Sequence, residues 1–221
     1  QVIDTGPYPT HEVLRHYRFL SEVSGKNILP KTPKIIWRDE RSAIPHIKNN
    51  KLGYAVINPG SNEFGRRWPF ENYLNIANNL IMMGLSVIIV GGQKEKIVGI
   101  PKSFKDERII DLSGKTELPD LLDILNHAAC VISNDTGPAH LSIALETPTV
   151  VIVGGGHFGS FVPYPEKVCP PYVKFAFMDM PCYHCFWHCT KRESKREAFP
   201  CVSDISVDTV WGHTKELLSA G

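Results

Sequence analysis

Between residues 54 and 153 short apolar runs rich in Val and Ile alternate with stretches whose apolar residues recur at helical spacing, and this rhythm constrains the fold more than any other feature. The runs cover 54–58, 85–90, 108–112, 130–133 and 148–153, and the helical stretches 69–83, 94–100, 119–128 and 138–145. Nearly unbroken apolar runs belong to strands covered on both faces, and crossovers of this length return each strand parallel to the last. The expectation is therefore an α/β fold, a Rossmann-like parallel sheet with helices on both faces. Pro69 suits a helix start, where no amide hydrogen is needed, and Gly84 suits a helix end.

The flanks read differently. Residues 11–24 place Val13, Leu14, Tyr17, Leu20 and Val23 at helical spacing ahead of Gly25, and a Pro-, Lys- and Asn-rich linker follows from Lys26 to Lys51. The expected organisation is an N-terminal helix and linker over 1–50, then the Rossmann-like domain over 51–221. Its alternation stops after Pro165; a Cys-rich segment, 169–203, precedes a last helix over 207–218. A formal charge of +1 gives no general pull toward nucleic acid, and Lys191, Arg192, Lys195 and Arg196 read as a solvated loop or a phosphate contact. No apolar run approaches the roughly 20 residues that cross a bilayer, so no transmembrane segment is expected. The chain opens on Gln1 without a signal segment and reads as a fragment whose own N-terminal portion is missing.

In open parallel sheets ligands bind where the strands end, so the loops after the runs are the places to search. After the first comes Pro59-Gly60-Ser61-Asn62-Glu63-Phe64-Gly65-Arg66-Arg67, small residues and two arginines that suit a diphosphate as well as a plain surface turn. After the second, Gly91-Gly92 allows close backbone approach and Glu95 suits ribose hydroxyls. Ser133-Asn134-Asp135-Thr136-Gly137-Pro138-Ala139-His140 ends the fourth run and opens a helix, an anion site with a carboxylate suited to sugar hydroxyls. Helix capping by Asp135 or Thr136 would also account for it. His140, one turn in, is expected as a packed, hydrogen-bonded histidine. Cys182, Cys185, Cys189 and Cys201 crowd into twenty residues, a spacing that suits one tetrahedral metal ion, Zn or Fe, with structural cysteines or disulfides as the alternative. Cys130 and Cys169 read as ordinary thiols.

With these motifs in view, the segments WPFENYLNIANNL, LSGKTELPDLLDILNHAACVISNDTGPAHLSIAL and TPTVVIVG make the chain resemble glycosyltransferase family 9, the bacterial heptosyltransferases, from about Ala55 to Val153. The resemblance implies the C-terminal, donor-binding half of a GT-B enzyme that transfers heptose with inversion from ADP-heptose to a lipopolysaccharide core acceptor. Carried over by position, it implies donor phosphates near Ser61 and Arg66, ribose near Glu95, base near Thr116, and heptose near Asp135, Thr136 and Gly137. Arg66 stands where family members often carry Lys, exchanging a point charge for a planar fork. The resemblance puts the general base on the absent N-terminal domain, so no catalytic base is assigned here, and it implies no cofactor for the transfer and a peripheral contact with the inner membrane through the acceptor. A similar four-Cys iron site occurs in heptosyltransferases that modify autotransporter proteins, which leaves a protein acceptor open. Rivals are a sugar-nucleotide enzyme with another donor and a non-catalytic, metal-stabilised interaction module.

Overall fold

The computed structural model describes residues 2–38, 53–93 and 106–220. Six strands, β1 (Tyr54–Asn58), β2 (Ser86–Ile89), β3 (Ile109–Asp111), β4 (Cys130–Asn134), β5 (Thr149–Ile152) and β6 (Val173–Ala176), form one sheet in the order β3-β2-β1-β4-β5-β6. Every pairing is parallel, and Val56 at the centre lies level with Ile88 on one side and Val131 on the other. In this doubly wound order the connection reverses between β1 and β4, which opens a crevice at their carboxyl ends.

Side chains alternate across the strands, so each run feeds two cores. Ala55, Ile57, Cys130, Ile132, Val150 and Ile152 pack under α2 (Phe70–Met82) and α6 (Val207–Ser219). On the opposite face Tyr54, Val56, Ile88 and Val131 meet α3 (Leu118–Asn126), while Val151 and Val153 meet α4 (Gly137–Ala144). The helices thus cover both faces, as the alternation requires. Trp68 is fully buried and fixed at two points, its backbone N–H donating to Asn134 Oδ1 (3.1 Å) and its indole N–H to the Ile205 carbonyl (2.9 Å).

The expected five-stranded sheet has a sixth strand. β6 lies in the segment where alternation was expected to have stopped, because it is a four-residue edge strand in which only Val173 and Ala176 are buried and Lys174 turns outward to Glu216 (2.8 Å). A short helix, α5 (Pro200–Ser203), was likewise not expected. Pro69 sits at the N-cap of α2 instead of inside its first turn, and Gly84 takes φ +90° just past its end. The helix expected over 94–100 lies outside the described residues.

α1 (Glu12–Ser24) buries only Val13 and leaves Phe19, Leu20 and Val23 exposed, so its apolar stripe is less covered than helical spacing implies. It docks by its start: Glu12 N–H donates to the Ser160 carbonyl (2.8 Å), and His11 bridges Val13 N–H and the Phe161 carbonyl. Further along, Ile35 N–H donates to the Ala144 carbonyl (2.7 Å), and Trp37 and Arg38 both donate to the Asp123 carboxylate. Among the described residues no helix is long and apolar enough to cross a membrane.

Candidate functional site

Two buried asparagines build the crevice between β1 and β4. Asn58, the last residue of β1, donates from Nδ2 to Ser133 Oγ (2.9 Å) and Thr136 Oγ1 (2.8 Å). Asn134, the last of β4, donates to the Pro59 (2.8 Å) and Gly60 (3.2 Å) carbonyls while accepting from Trp68 N–H. Each strand end therefore holds the other's loop, and Asn58 also lines the resulting cleft. Sequence reasoning missed both, since Asn at a strand end is also an ordinary turn residue.

The cleft encloses about 600 Å³. Of the residues expected to bind substrate, Ser61, Arg66, Thr116, Asp135, Thr136 and Gly137 all line it, although they come from the loops after β1, β3 and β4. Glu95 lies outside the described residues; Gly91 and Gly92, just before it, do line the cleft. Arg66 Nη2 donates to the Asp135 carbonyl (2.8 Å) and to Asp135 Oδ2 (3.1 Å), which leaves Nε and Nη1 without a hydrogen-bond partner among the described residues. His140 is packed and hydrogen-bonded as expected, its ring stacked on Tyr164 with Nδ1 3.4 Å from the Tyr164 hydroxyl, and it also lines the cleft, with Nε2 3.4 Å from Asp135 Oδ1. Arg67 does not share Arg66's place: its Nε donates to the Ser61 carbonyl (2.9 Å) and shapes the loop from behind.

Capping does not account for the β4 loop. Thr136 occupies the N-cap of α4 but makes no side-chain cap bond, its hydroxyl accepting from Asn58 and donating to the Asn134 carbonyl (3.3 Å). The helix start is thus left open toward the cleft at Gly137, whose N–H makes no hydrogen bond among the described residues and stands at the positive dipole end that attracts anions; Pro138 has no N–H, and Ala139 N–H donates to the Thr136 carbonyl (3.1 Å). Nearby, the Ser61 hydroxyl is buried without a hydrogen-bond partner. A buried, unsatisfied hydroxyl costs about 1–3 kcal/mol, which a bound acceptor atom would recover. On the far wall Leu118 and Leu121 add apolar surface beside Thr116, two lining residues that the sequence pattern did not single out.

The Cys-rich segment packs against the opposite side of the Arg66 loop. Cys182, Cys185, Cys189 and Cys201 all line one small cavity of about 90 Å³, together with Tyr183 and Trp187. Burial pushes the Cys201 thiol above its usual range, and its sulfur accepts from Gly155 N–H (3.3 Å). The side chains are not drawn into a metal centre: among the described residues no group of three or more His, Cys, Asp or Glu stands close enough to hold an ion. All six cysteines are free thiols. Cys130, fully buried, has its thiol pushed up to about 12, and Cys169 is raised by burial too, as expected of ordinary thiols. Arg192 is not the solvated residue expected: it pairs with Glu63 (3.5 Å) and lies 4.4 Å over the Phe199 ring, whereas Lys195 and Arg196 are exposed.

Comparison with known proteins places this geometry. The lipooligosaccharide heptosyltransferase 2 of Haemophilus ducreyi is 27% identical over 169 residues, 73% of this chain and 46% of that protein, so the match spans under half of the relative's length. Among solved structures, the E. coli ADP-heptose LPS heptosyltransferase II superposes with a TM-score of 0.62 at 18% identity, covering 87% of this chain and 56% of that one. The iron-containing dodecameric glycosyltransferase TibC from enterotoxigenic E. coli gives 0.65 at 18% identity, covering 95% and 54%. At such identity these two likenesses carry the fold alone. Residues 4–195 match the model of glycosyltransferase family 9 (heptosyltransferase), most of the chain, and the chain therefore belongs to that family.

Proposed function

We propose that the cleft binds the nucleotide-sugar donor of a heptosyltransferase, with ADP-heptose as donor and a lipopolysaccharide core sugar as acceptor. The observation that carries this reading is the buried, partnerless hydroxyl of Ser61 on a cleft wall that also presents a half-occupied arginine fork and an open helix start. These are three kinds of donor suited to one diphosphate. In this reading Ser61, Arg66 and the Gly137 N–H at the α4 start hold the phosphates, Thr116 with Leu118 and Leu121 borders the base, and Asp135, Thr136 and Gly137 face the heptose. Glu95 is assigned to the ribose on the sequence pattern alone.

The chemistry follows from charge. As the bond from the anomeric carbon to the diphosphate oxygen breaks, negative charge grows on the departing ADP, and fixed cationic and amide donors stabilise that charge more than the ground state. Inversion requires the acceptor hydroxyl to attack from the opposite face and lose its proton to a base. We place that base on a second domain of a GT-B enzyme working in the cytoplasm at the inner membrane face. An autotransporter-type protein acceptor is the alternative.

We further propose that Cys182, Cys185, Cys189 and Cys201 hold one structural Fe or Zn. Their soft donor set and common cavity support this, as does the iron-containing TibC among structures of the same fold. Such an ion would tie the segment down and contribute folding free energy. Elemental analysis of the purified chain should find about one metal ion per chain, lost together with thermal stability on Cys185→Ser.

Calorimetric titration with ADP, UDP and GDP tests the donor reading. ADP should bind most tightly, ADP-heptose more tightly still, and Asp135→Ala should remove the advantage of the heptose while leaving ADP bound. Equal affinity for all three nucleotides, or none for a folded sample, would overturn it.

A further inference from the structure

Arg66 is held from a direction that its role as a phosphate ligand does not require. Its guanidinium carbon lies 4.6 Å over the ring of Trp187, which stands between Cys185 and Cys189 in the Cys-rich segment. The same segment grips the rest of the loop: Phe199 N–H donates to the Gly65 carbonyl (2.7 Å), and Arg192 reaches Glu63. Trp187 is itself wedged in place. His184 and Phe186 N–H donate to the Gly155 and Gly156 carbonyls, and the Trp187 ring stacks on Phe199 (5.5 Å). Three of the four residues from 184 to 187, His184, Phe186 and Trp187, take left-handed backbone at φ 65°, 51° and 63°. That conformation disfavours L-residues, and surrounding contacts must hold it.

We infer that Trp187 is a positioning residue for donor binding: its indole face holds the Arg66 guanidinium in the orientation that presents Nε and Nη1 to the diphosphate. This rests on the donor reading of the cleft. A cation over an aromatic face is attracted by the ring quadrupole, more so when partly desolvated, and a guanidinium already fixed loses less side-chain freedom when phosphate arrives. Asp135 fixes one end of the fork through Nη2 and Trp187 fixes its plane. The cysteine segment thereby acts on the donor site without touching the donor.

The test is calorimetric ADP binding to the whole chain. Replacing Trp187 site-specifically with mono-, di- and trifluorotryptophan keeps its shape and weakens the negative ring face stepwise. Log affinity for ADP should fall with each fluorine, by about tenfold across the series, with melting temperature unchanged. In an Arg66→Met background the same series should be flat, because the cation that reads the ring is gone. A flat series on native Arg66 would overturn the inference while leaving the donor reading intact. If Arg66→Met binds ADP as tightly as the native chain, Arg66 is no phosphate ligand and the donor reading of that residue falls with the inference. Trp187→Phe, which retains a weaker ring face, should bind ADP between the native chain and Trp187→Leu; Phe and Leu behaving alike would also count against a cation–ring role.

Discussion

Gly137 separates what the fold needs from what the cleft needs. A Cβ built there meets no protein atom within 4 Å, and the residue's φ is not left-handed, so neither packing nor backbone requires glycine. What alanine would occupy is space in the cleft. Gly137→Ala should therefore leave the melting temperature unchanged or slightly raised, since Ala favours helix, while weakening ADP binding by about tenfold, the scale of a misplaced methyl. Equal affinity would mean that no ligand comes near the start of α4. His11 gives a second prediction. Its Nδ1 accepts from Val13 N–H, so the proton lies on Nε2, which donates to the Phe161 carbonyl (2.6 Å), and protonating Nδ1 would break the cap. Burial holds its pKa below 6.5. Between that lowered folded value and 6.5 the unfolded chain binds more protons, so this contribution is complete above about pH 6.5 and declines as pH falls. Melting temperature should drop from pH 7 to 5, and His11→Asn should make the slope shallower; the remaining slope includes His213, also lowered by burial. At this scale the sequence was most informative for residues in loops after strands, because strand ends are where an open sheet binds ligands. It was silent on Asn58, Asn134 and Trp187, whose partners lie tens of residues away.

At the scale of elements, the least legible part was the stretch after β5. Runs with period 2 or 3.6 declare themselves, but β6 is a short edge strand between prolines, and the Cys-rich segment is ordered by what it lies on more than by its own pattern. What it lies on is the turn Gly154-Gly155-Gly156. A Cβ on Gly156 would come within 2.2 Å of the Trp187 ring, and one on Gly155 within 2.3 Å of Tyr183. These glycines exist to admit a second chain segment at backbone distance, a reason no single-sequence pattern reveals. Gly156→Ala should lift the segment and destabilise the protein by about 2 kcal/mol, the usual cost of overpacking. For a chain of this size that is roughly a 5 °C fall in melting temperature. Because Trp187 would be displaced, ADP binding should weaken alongside. A fall in stability without a change in affinity would separate the segment's structural role from any hold on Arg66.

For the whole molecule, the reversal of strand order between β1 and β4 divides the sheet into β1–β3 and β4–β6 with the cleft across the seam. Lining residues come from both sides, Ser61, Arg66 and Thr116 from one and Asp135, Gly137 and His140 from the other. Without ligand, the loops across this seam are joined mainly by Asn58, Asn134 and the Arg66–Asp135 pair. In the proposed reading a diphosphate held by Ser61, Arg66 and the α4 start adds bonds on both sides at once, so its binding energy is shared by loops of two halves that the β1–β4 backbone ladder already joins below the cleft. Ligand at about 100 times its Kd should add roughly 2.7 kcal/mol to global stability by mass action. Its local signature is the sharper measurement. Amide hydrogen exchange with ADP should slow in residues 60–67 and 135–140 together, whereas a ligand seated on one wall would protect only one set. UDP at the same occupancy should reproduce the phosphate-loop protection but not the slowing at residues 116–121, where the base is proposed to lie. If ADP protects 116–121 alone, the nucleotide sits in the cleft by its base and the phosphate assignment fails.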